Sequence, residues 1–310
     1  MPLSSRKIDR RVAWSVLIIF LIVAWILISS GSEPRYQGRA LSAWLEDLDQ
    51  SKAEGTREHA KAVLTRAARE AAPTFVKTLR TKDSQLKLMM IGLVQRQKIL
   101  KLSFRTADMR HDAAVAEFSR FRIGAIPVLT NLLDDPRLAV QATSSLSGTG
   151  PEAAVHLIGV LSHTNDSVRI CAALGLNNIY MNSVLFRNLV KTPGWQGDFP
   201  TNATVAALVK HLKDKTPNVR VVVAFALGNM REQPESVIPA FTEGLEETTN
   251  SQVRQAVADA LGKYAQQAVS AVPSLERLVN DTDPAVRTTA ERALSKIKGR
   301  EQEDWKEKSK

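Results

Sequence analysis

Cysteine is nearly absent from this 310-residue chain. Cys171 stands alone, which excludes an intramolecular disulfide and any metal site built on cysteines. It falls among small apolar residues of a predicted helix and reads as a packed thiol. Aromatic residues are scarce, at 5%, whereas Ala, Leu and Val dominate a composition that is 44% hydrophobic. That balance disfavours a strand-rich core and suits helices packed through small side chains. The five histidines, His59, His111, His156, His163 and His211, show no His-x-x-x-His spacing, and none begins a His-Glu pair. There is no Gly-x-x-x-x-Gly-Lys-Ser/Thr loop and no Gly-x-Ser-x-Gly elbow. We therefore expect no enzyme, no cofactor and no metal. The net charge of +10 invites a nucleic-acid reading, but the surplus lies in the first 150 residues and the C-terminal half is close to neutral. No basic stripe runs the length of the chain, so nucleic acid is not the expected partner.

One long apolar run is present. Val12 to Ile28 is seventeen residues without a charge, and adding Ser29 and Ser30 makes about 28 Å of helix, enough to cross a bilayer core. Trp14 and Trp25 lie near its ends, and Arg6, Lys7, Arg10 and Arg11 precede it against Asp9. The positive-inside rule then keeps the N-terminus cytoplasmic and sends the rest across the membrane. This predicts a cytoplasmic basic tip and transmembrane anchor over residues 1–32, spanning at 12–30, with the remainder on the extracytoplasmic, periplasmic side. The rival reading is a signal peptide cleaved near Ser30 and Ser32, giving an exported form. No Cys stands at the end of the run, which excludes a lipid-anchored form.

Beyond the anchor one register recurs. Val219, Val223, Ala226 and Leu227 match Val253, Val257, Ala260 and Leu261, then Val286, Ala290, Ala293 and Leu294. Val168, Ala172, Gly175 and Leu176 form the same stripe, as do Leu138, Ala142, Ser145 and Leu146. Leu86, Met90, Leu93 and Val94 follow it, and more faintly Thr56, Ala60, Val63 and Leu64. That spacing is one face of an α-helix. Three residues before each stripe from Leu86 onward stand Asp83, Asp135, Asn165, Thr216, Asn250 and Asp283, all good N-caps. Pro136, Pro217 and Pro284 follow at the first helical position. A second helix after each first one starts at Ala72-Pro73, Ile126-Pro127, Ile238-Pro239 or Val272-Pro273, with proline-less versions at Ala154-Val155 and Val205-Ala206. Helix pairs that expose an apolar face must stack.

Segments such as DTDPAVRTTAERAL and TPNVRVVVAFALGNM followed by ESVIPAFTEGL resemble HEAT repeats, particularly the bacterial kind related to phycobilisome-lyase repeats. YQGRALSAWLEDL, Tyr36 to Leu48, resembles the leading segment of membrane-anchored HEAT proteins. The resemblance spans residues 55–298 and implies an all-α solenoid of about six to seven HEAT-type helix pairs that scaffolds or binds other molecules. It also implies a structural ladder from the basic residue that follows each stripe's first position: Arg57, Lys87, Arg169, Arg220, Arg254 and Arg287. Ala139 departs from that pattern.

Residues 33–54 read as a linker and leading helix, and 299–310 as a charged tail. The stripes are unevenly spaced, which places two insertions inside the solenoid, near 95–122 and 180–200. Loops on a rigid scaffold commonly carry binding. The first is basic and offers Arg96, Lys98, Lys101, Arg105 and Arg110; the second offers Phe186, Trp195 and Phe199. Their bland readings are a solvated helical extension and aromatics packed on neighbouring helices. The expected function is a non-catalytic, membrane-tethered scaffold that binds a protein or peptide on its concave face or insertion edge. A chromophore-lyase-like enzyme and a nucleic-acid-binding HEAT protein are the alternatives.

Overall fold

The computed structural model describes residues 35–48, 52–96, 106–185, 198–247 and 249–299. They fall into two compact units divided between Ala43 and Trp44. The first holds a small antiparallel hairpin, β1 (Arg35–Tyr36) and β2 (Arg39–Ala40). Gln37 (φ 51°) and Gly38 (φ 77°) turn it, both left-handed as a tight two-residue hairpin loop requires. No strand was expected in a chain read as all-α. Helix α1 (Leu41–Glu46) follows the hairpin.

The second unit is a solenoid of helix pairs. Among the described residues five pairs repeat in register: α5 (Ile126–Asn131) with α6 (Ala139–Ser147), α7 (Ala154–Val160) with α8 (Asp166–Tyr180), and α9 (Thr201–His211) with α10 (Pro217–Met230). Then come α11 (Pro234–Glu247) with α12 (Ser251–Tyr264), and α13 (Val272–Leu278) with α14 (Pro284–Ile297). Each proline-bearing or short helix packs mainly on the helix that follows it, so the repeat begins on the second type of helix. The second members α6, α8, α10, α12 and α14 stack side by side into a ridge, and the first members, which include the shortest helices α5, α7 and α13, form the other, short-helix layer.

Every stripe residue from Leu138 to Leu294 is buried, and most are fully so. Burying a Leu or Val contributes about 1.5–3 kcal/mol, which is why the 3.6-residue period decides these helices. Caps fix the starts. Asn165, Asn250 and Asp283 accept from the backbone N–H groups of Ser167, Val253 and Ala285 at 2.9, 3.1 and 2.9 Å. Small residues set the ridge spacing. A Cβ placed on Gly228 would stand 2.8 Å from the Cβ of Ala260, and one on Gly262 3.1 Å from that of Ala293.

The first third of the solenoid departs from the expected register. Helix α2 (Glu54–Leu79) runs unbroken for 26 residues with Pro73 inside it, where a break between two helices was expected. Ala60, Val63, Leu64, Ala67, Ala68, Phe75 and Leu79 are buried along its length. That stripe holds one register across Pro73, and its burial outweighs the proline's cost of about 3 kcal/mol. Helix α3 (Gln85–Arg96) carries the expected Leu86 stripe, yet Leu86 is 66% exposed, with Leu88 and Met89 exposed beside it. The place next to α6 belongs instead to α4 (Ala107–Ser119), which packs against both α2 and α6. Residues 95–122 are thus not simply an inserted loop: they contain a helix of the ridge. Phe118 stacks on Phe75 at 4.2 Å and meets Phe121 edge-on at 5.5 Å.

The membrane localisation is also corrected. No helix among the described residues is long and apolar enough to cross a membrane. Only α2 has the length, and it carries Arg57, Lys61, Arg66 and Arg69 among other charges. The apolar run at 12–30 lies outside the described residues. So do Lys98, Lys101, Arg105, Phe186, Trp195 and the tail beyond Gly299.

Candidate interaction surface

The turns between paired helices form one edge, where the ladder arginines Arg169, Arg220, Arg254 and Arg287 divide into two kinds. Arg169 leaves α8 and grips Asp214 with two bonds, Nε to Oδ2 at 2.8 Å and Nη2 to Oδ1 at 2.9 Å. It also donates to the Thr216 hydroxyl at 3.1 Å and to the His163 carbonyl at 2.9 Å. Both ends of this pair are buried, with side chains 4% and 8% exposed. Arg254 repeats the motif on Asp281, at 2.7 and 2.9 Å. Arg220 and Arg287 stay at home, each donating to a carbonyl of its own turn: Asp214 at 2.6 Å and Asp281 at 2.7 Å. Every second pair therefore sends an arginine to the next turn, and the arginine of that turn braces the same aspartate's backbone. Arg254 is the main force holding the Asp281 carboxyl below its ordinary range. Burial pushes Asp214 up, but Arg169 and the Thr216 N–H outweigh it and the net direction is down.

Of the expected binding residues inside the two insertions, Arg110 and Phe199 have structural partners. Arg110 pairs with Asp83 at 3.2 Å. Asp83 was expected to cap α3, but it accepts instead from the Ala107 N–H at the start of α4 and from the Lys87 ammonium at 2.6 Å. Lys87, then that N–H, draw its carboxyl down to about 2. Arg96 ends α3. Phe199 is buried and meets Tyr180 edge-on at 5.5 Å. Burial raises the half-buried Cys171 thiol, leaving it a weak nucleophile.

The two layers present different surfaces. On the short-helix layer, exposed ion pairs join successive pairs: Lys213 to Glu243 at 2.6 Å and Arg277 to Glu246 at 2.7 Å. Such contacts mark a solvated face. The open face of the ridge is unlike it. Its central helices α6, α8 and α10 turn Gln141 and Ser144, Cys171 and Leu174, and Val222 and Phe225 outward, with no charge among them. Leu174 is 37% and Phe225 44% exposed. Sequence reasoning passed over both, although each sits six residues after its stripe begins, a position that Ser144, Asp259 and Arg292 fill with polar groups. The ridge is stitched by polar contacts. Asn229 donates to Asn177 at 3.0 Å, and Lys263 donates to Asn229 at 3.0 Å while lying 4.9 Å over the Phe225 ring. A groove of about 580 Å³ crosses α10, α12 and α14, lined by Val222, Gln252, Gln255, Asp259 and Arg292 among others. No group of three or more His, Cys, Asp or Glu side chains among the described residues is arranged to hold a metal.

Stacked helix pairs with one ridge layer define an α-solenoid repeat protein. Residues 205–295, the three C-terminal pairs from within α9 to within α14, match the family described as HEAT repeats. No curated protein matches the chain. Among solved structures, an engineered protein is 21% identical over 84% of this chain and 99% of its own, with a TM-score of 0.43. A designed armadillo repeat protein in complex with peptide (KR)4 is 18% identical over 84% of this chain and 100% of its own, with a TM-score of 0.41. At TM-scores this low neither carries an argument about function. The family match extends to HEAT repeats and not to the phycobilisome-lyase subtype.

Proposed function

We propose that this chain is a non-catalytic scaffold that binds a protein or peptide partner on the open face of the ridge. The observation that carries the reading is the pair Leu174 and Phe225, exposed at equivalent positions on the adjacent helices α8 and α10. Two exposed apolar side chains on adjacent helices make a contiguous patch, whereas Val155 and Val269 are exposed singly, and a contiguous patch marks a contact surface. Lys263 reaches Phe225, but the outward positions of α6, α8 and α10 carry no cation of their own and give a phosphate backbone little to meet, which favours peptide over nucleic acid. No cofactor or metal enters this reading. Arg96, Lys98, Lys101 and Arg105 remain a second, basic contact region in the proposal. A photo-cross-linking residue placed at Phe225, and in a separate variant at Val155 on the short-helix layer, tests it. One recurrent adduct from position 225 that is missing from position 155 supports the ridge. Equal adducts from both, or none from position 225, contradict it.

A further inference from the structure

The spacing of the ridge specifies the kind of segment that fits it. Leu174, Phe225, Asp259 and Arg292 occupy the same place, six residues after the stripe begins, on the four successive helices α8, α10, α12 and α14. They therefore form a row that runs across the ridge. Neighbouring packed helices stand about 8–10 Å apart. Glycines at the contacts between helices of the ridge keep their packing within that range. A Cβ on Gly175, Gly228 or Gly262 would come within 2.9, 2.8 or 3.1 Å of the neighbouring Ser147, Ala260 or Ala293.

Three backbone geometries compete for such a row. A β-strand repeats a face every two residues, roughly 6.6 Å, which falls short of the helix spacing. An α-helix returns to one face after seven residues, roughly 10.5 Å, which overshoots it. Polyproline II repeats every three residues with a rise of about 3.1 Å each, giving roughly 9 Å, within the range. Polyproline II also leaves its own N–H and C=O groups unpaired. The groove across α10, α12 and α14 meets them with the amides of Asn218, Gln252 and Gln255. An amide side chain both donates and accepts, so it serves a peptide backbone whatever the sequence.

We propose that the ridge takes an extended polyproline-II segment of a partner protein, read at every third residue. Two apolar side chains three residues apart meet Leu174 and Phe225. The next reading position faces Asp259 and is basic, and the one after it faces Arg292 and is acidic. Asp259 already pairs with Lys263 at 3.2 Å but keeps a side chain 42% exposed. Arg292 is exposed and donates to the Thr289 hydroxyl at 3.4 Å. The charge order thus comes mainly from Arg292. The inference rests on the ridge being the binding face.

Fluorescence anisotropy on the full chain tests it with labelled ten-residue peptides. One has Leu at its first and fourth positions, Lys at the seventh, Glu at the tenth, and Pro or Ala between; its reversed order is assayed alongside. Isomers place the second Leu two or seven residues from the first. The three-residue spacing in one direction should bind roughly tenfold more tightly than either isomer, and Leu174→Ser should remove that advantage. Arg292→Glu should weaken the Glu-ended peptide and favour a Lys-ended one. An isomer that binds as well, or a charge exchange with no reversal of preference, overturns the proposal. Cross-links from position 225 with no peptide binding would overturn the segment and leave the ridge standing; loss of both would remove both.

Discussion

The three C-terminal pairs, α9 to α14, and the opening helices α2 and α3 were written in one apparent register and folded differently. In the first region each stripe is buried: Val219, Val223, Ala226 and Leu227 are all 0% exposed. In the second, Leu86 begins an equivalent stripe and points to solvent. The caps part company too. Asp283 caps its own helix at 2.9 Å, whereas Asp83 turns to the start of α4 and to Arg110. Ser84 takes over at α3, accepting from the Lys87 N–H at 3.2 Å. The packing material differs as well. Glycine meets alanine between the late ridge helices, and Phe75, Phe118 and Phe121 fill the early ones. A cap and an apolar period nominate a helix, but the neighbour that can bury it decides its place.

Several substitutions would sharpen that contrast. The largest expected effect is at the buried pair: Arg169→Met leaves Asp214 charged and uncompensated and should cost roughly 3–5 kcal/mol in chemical denaturation. Arg220→Met removes only a contact within one turn and should cost roughly 1 kcal/mol. Leu227→Ala should cost roughly 2–5 kcal/mol, against less than about 0.5 kcal/mol for Leu86→Ala. Equal losses at the two leucines would erase the difference between the regions. Gly228→Val, forced against Ala260, should cost roughly 1–3 kcal/mol. Gly244→Ala meets nothing within 4 Å and should gain up to about 1 kcal/mol from helix propensity.

Acid gives the smallest effect. Asp214 and Asp281 have folded-state carboxyls held below the ordinary value of 3.8. Their contribution is therefore fully present above that value and fades as pH falls through the depressed one. Stability should drop below about pH 4, and Asp281→Asn should flatten the drop when melting is followed against pH. An unchanged slope in that variant would show that the Arg254 pair contributes nothing.

Much of the solenoid was legible because its signal is local and repeated. A 3.6-residue stripe, a cap three residues earlier and a proline at the first turn agree at Val219 and Val286, and at Val253 stripe and cap agree without the proline. Helix α4 was not legible as part of the ridge. Its sequence, ADMRHDAAVAEFS, has weak periodicity, and its place rests on Phe118 meeting Phe75, 43 positions earlier. The continuity of α2 was hidden by Pro73, whose local rule loses to the buried stripe on either side. The candidate surface was hidden for the opposite reason. Leu174 and Phe225 look like core residues by type, and only their phase relative to the stripe places them outside. Arg110 and Phe199 drew notice through charge and aromaticity, and the fold uses both for packing and pairing.

The central claim is that the ridge, and not the ion-paired layer, is the contact face. It is tested most directly by comparing two double variants of the full chain for capture of the adduct-forming partner. One is Leu174→Ser with Phe225→Ser on the ridge; the other is Val155→Ser with Val269→Ser, at positions 64% and 59% exposed away from it. With circular dichroism unchanged in both, the first should lose capture and the second keep it. Capture retained by the ridge variant, or lost equally in both, would contradict the account.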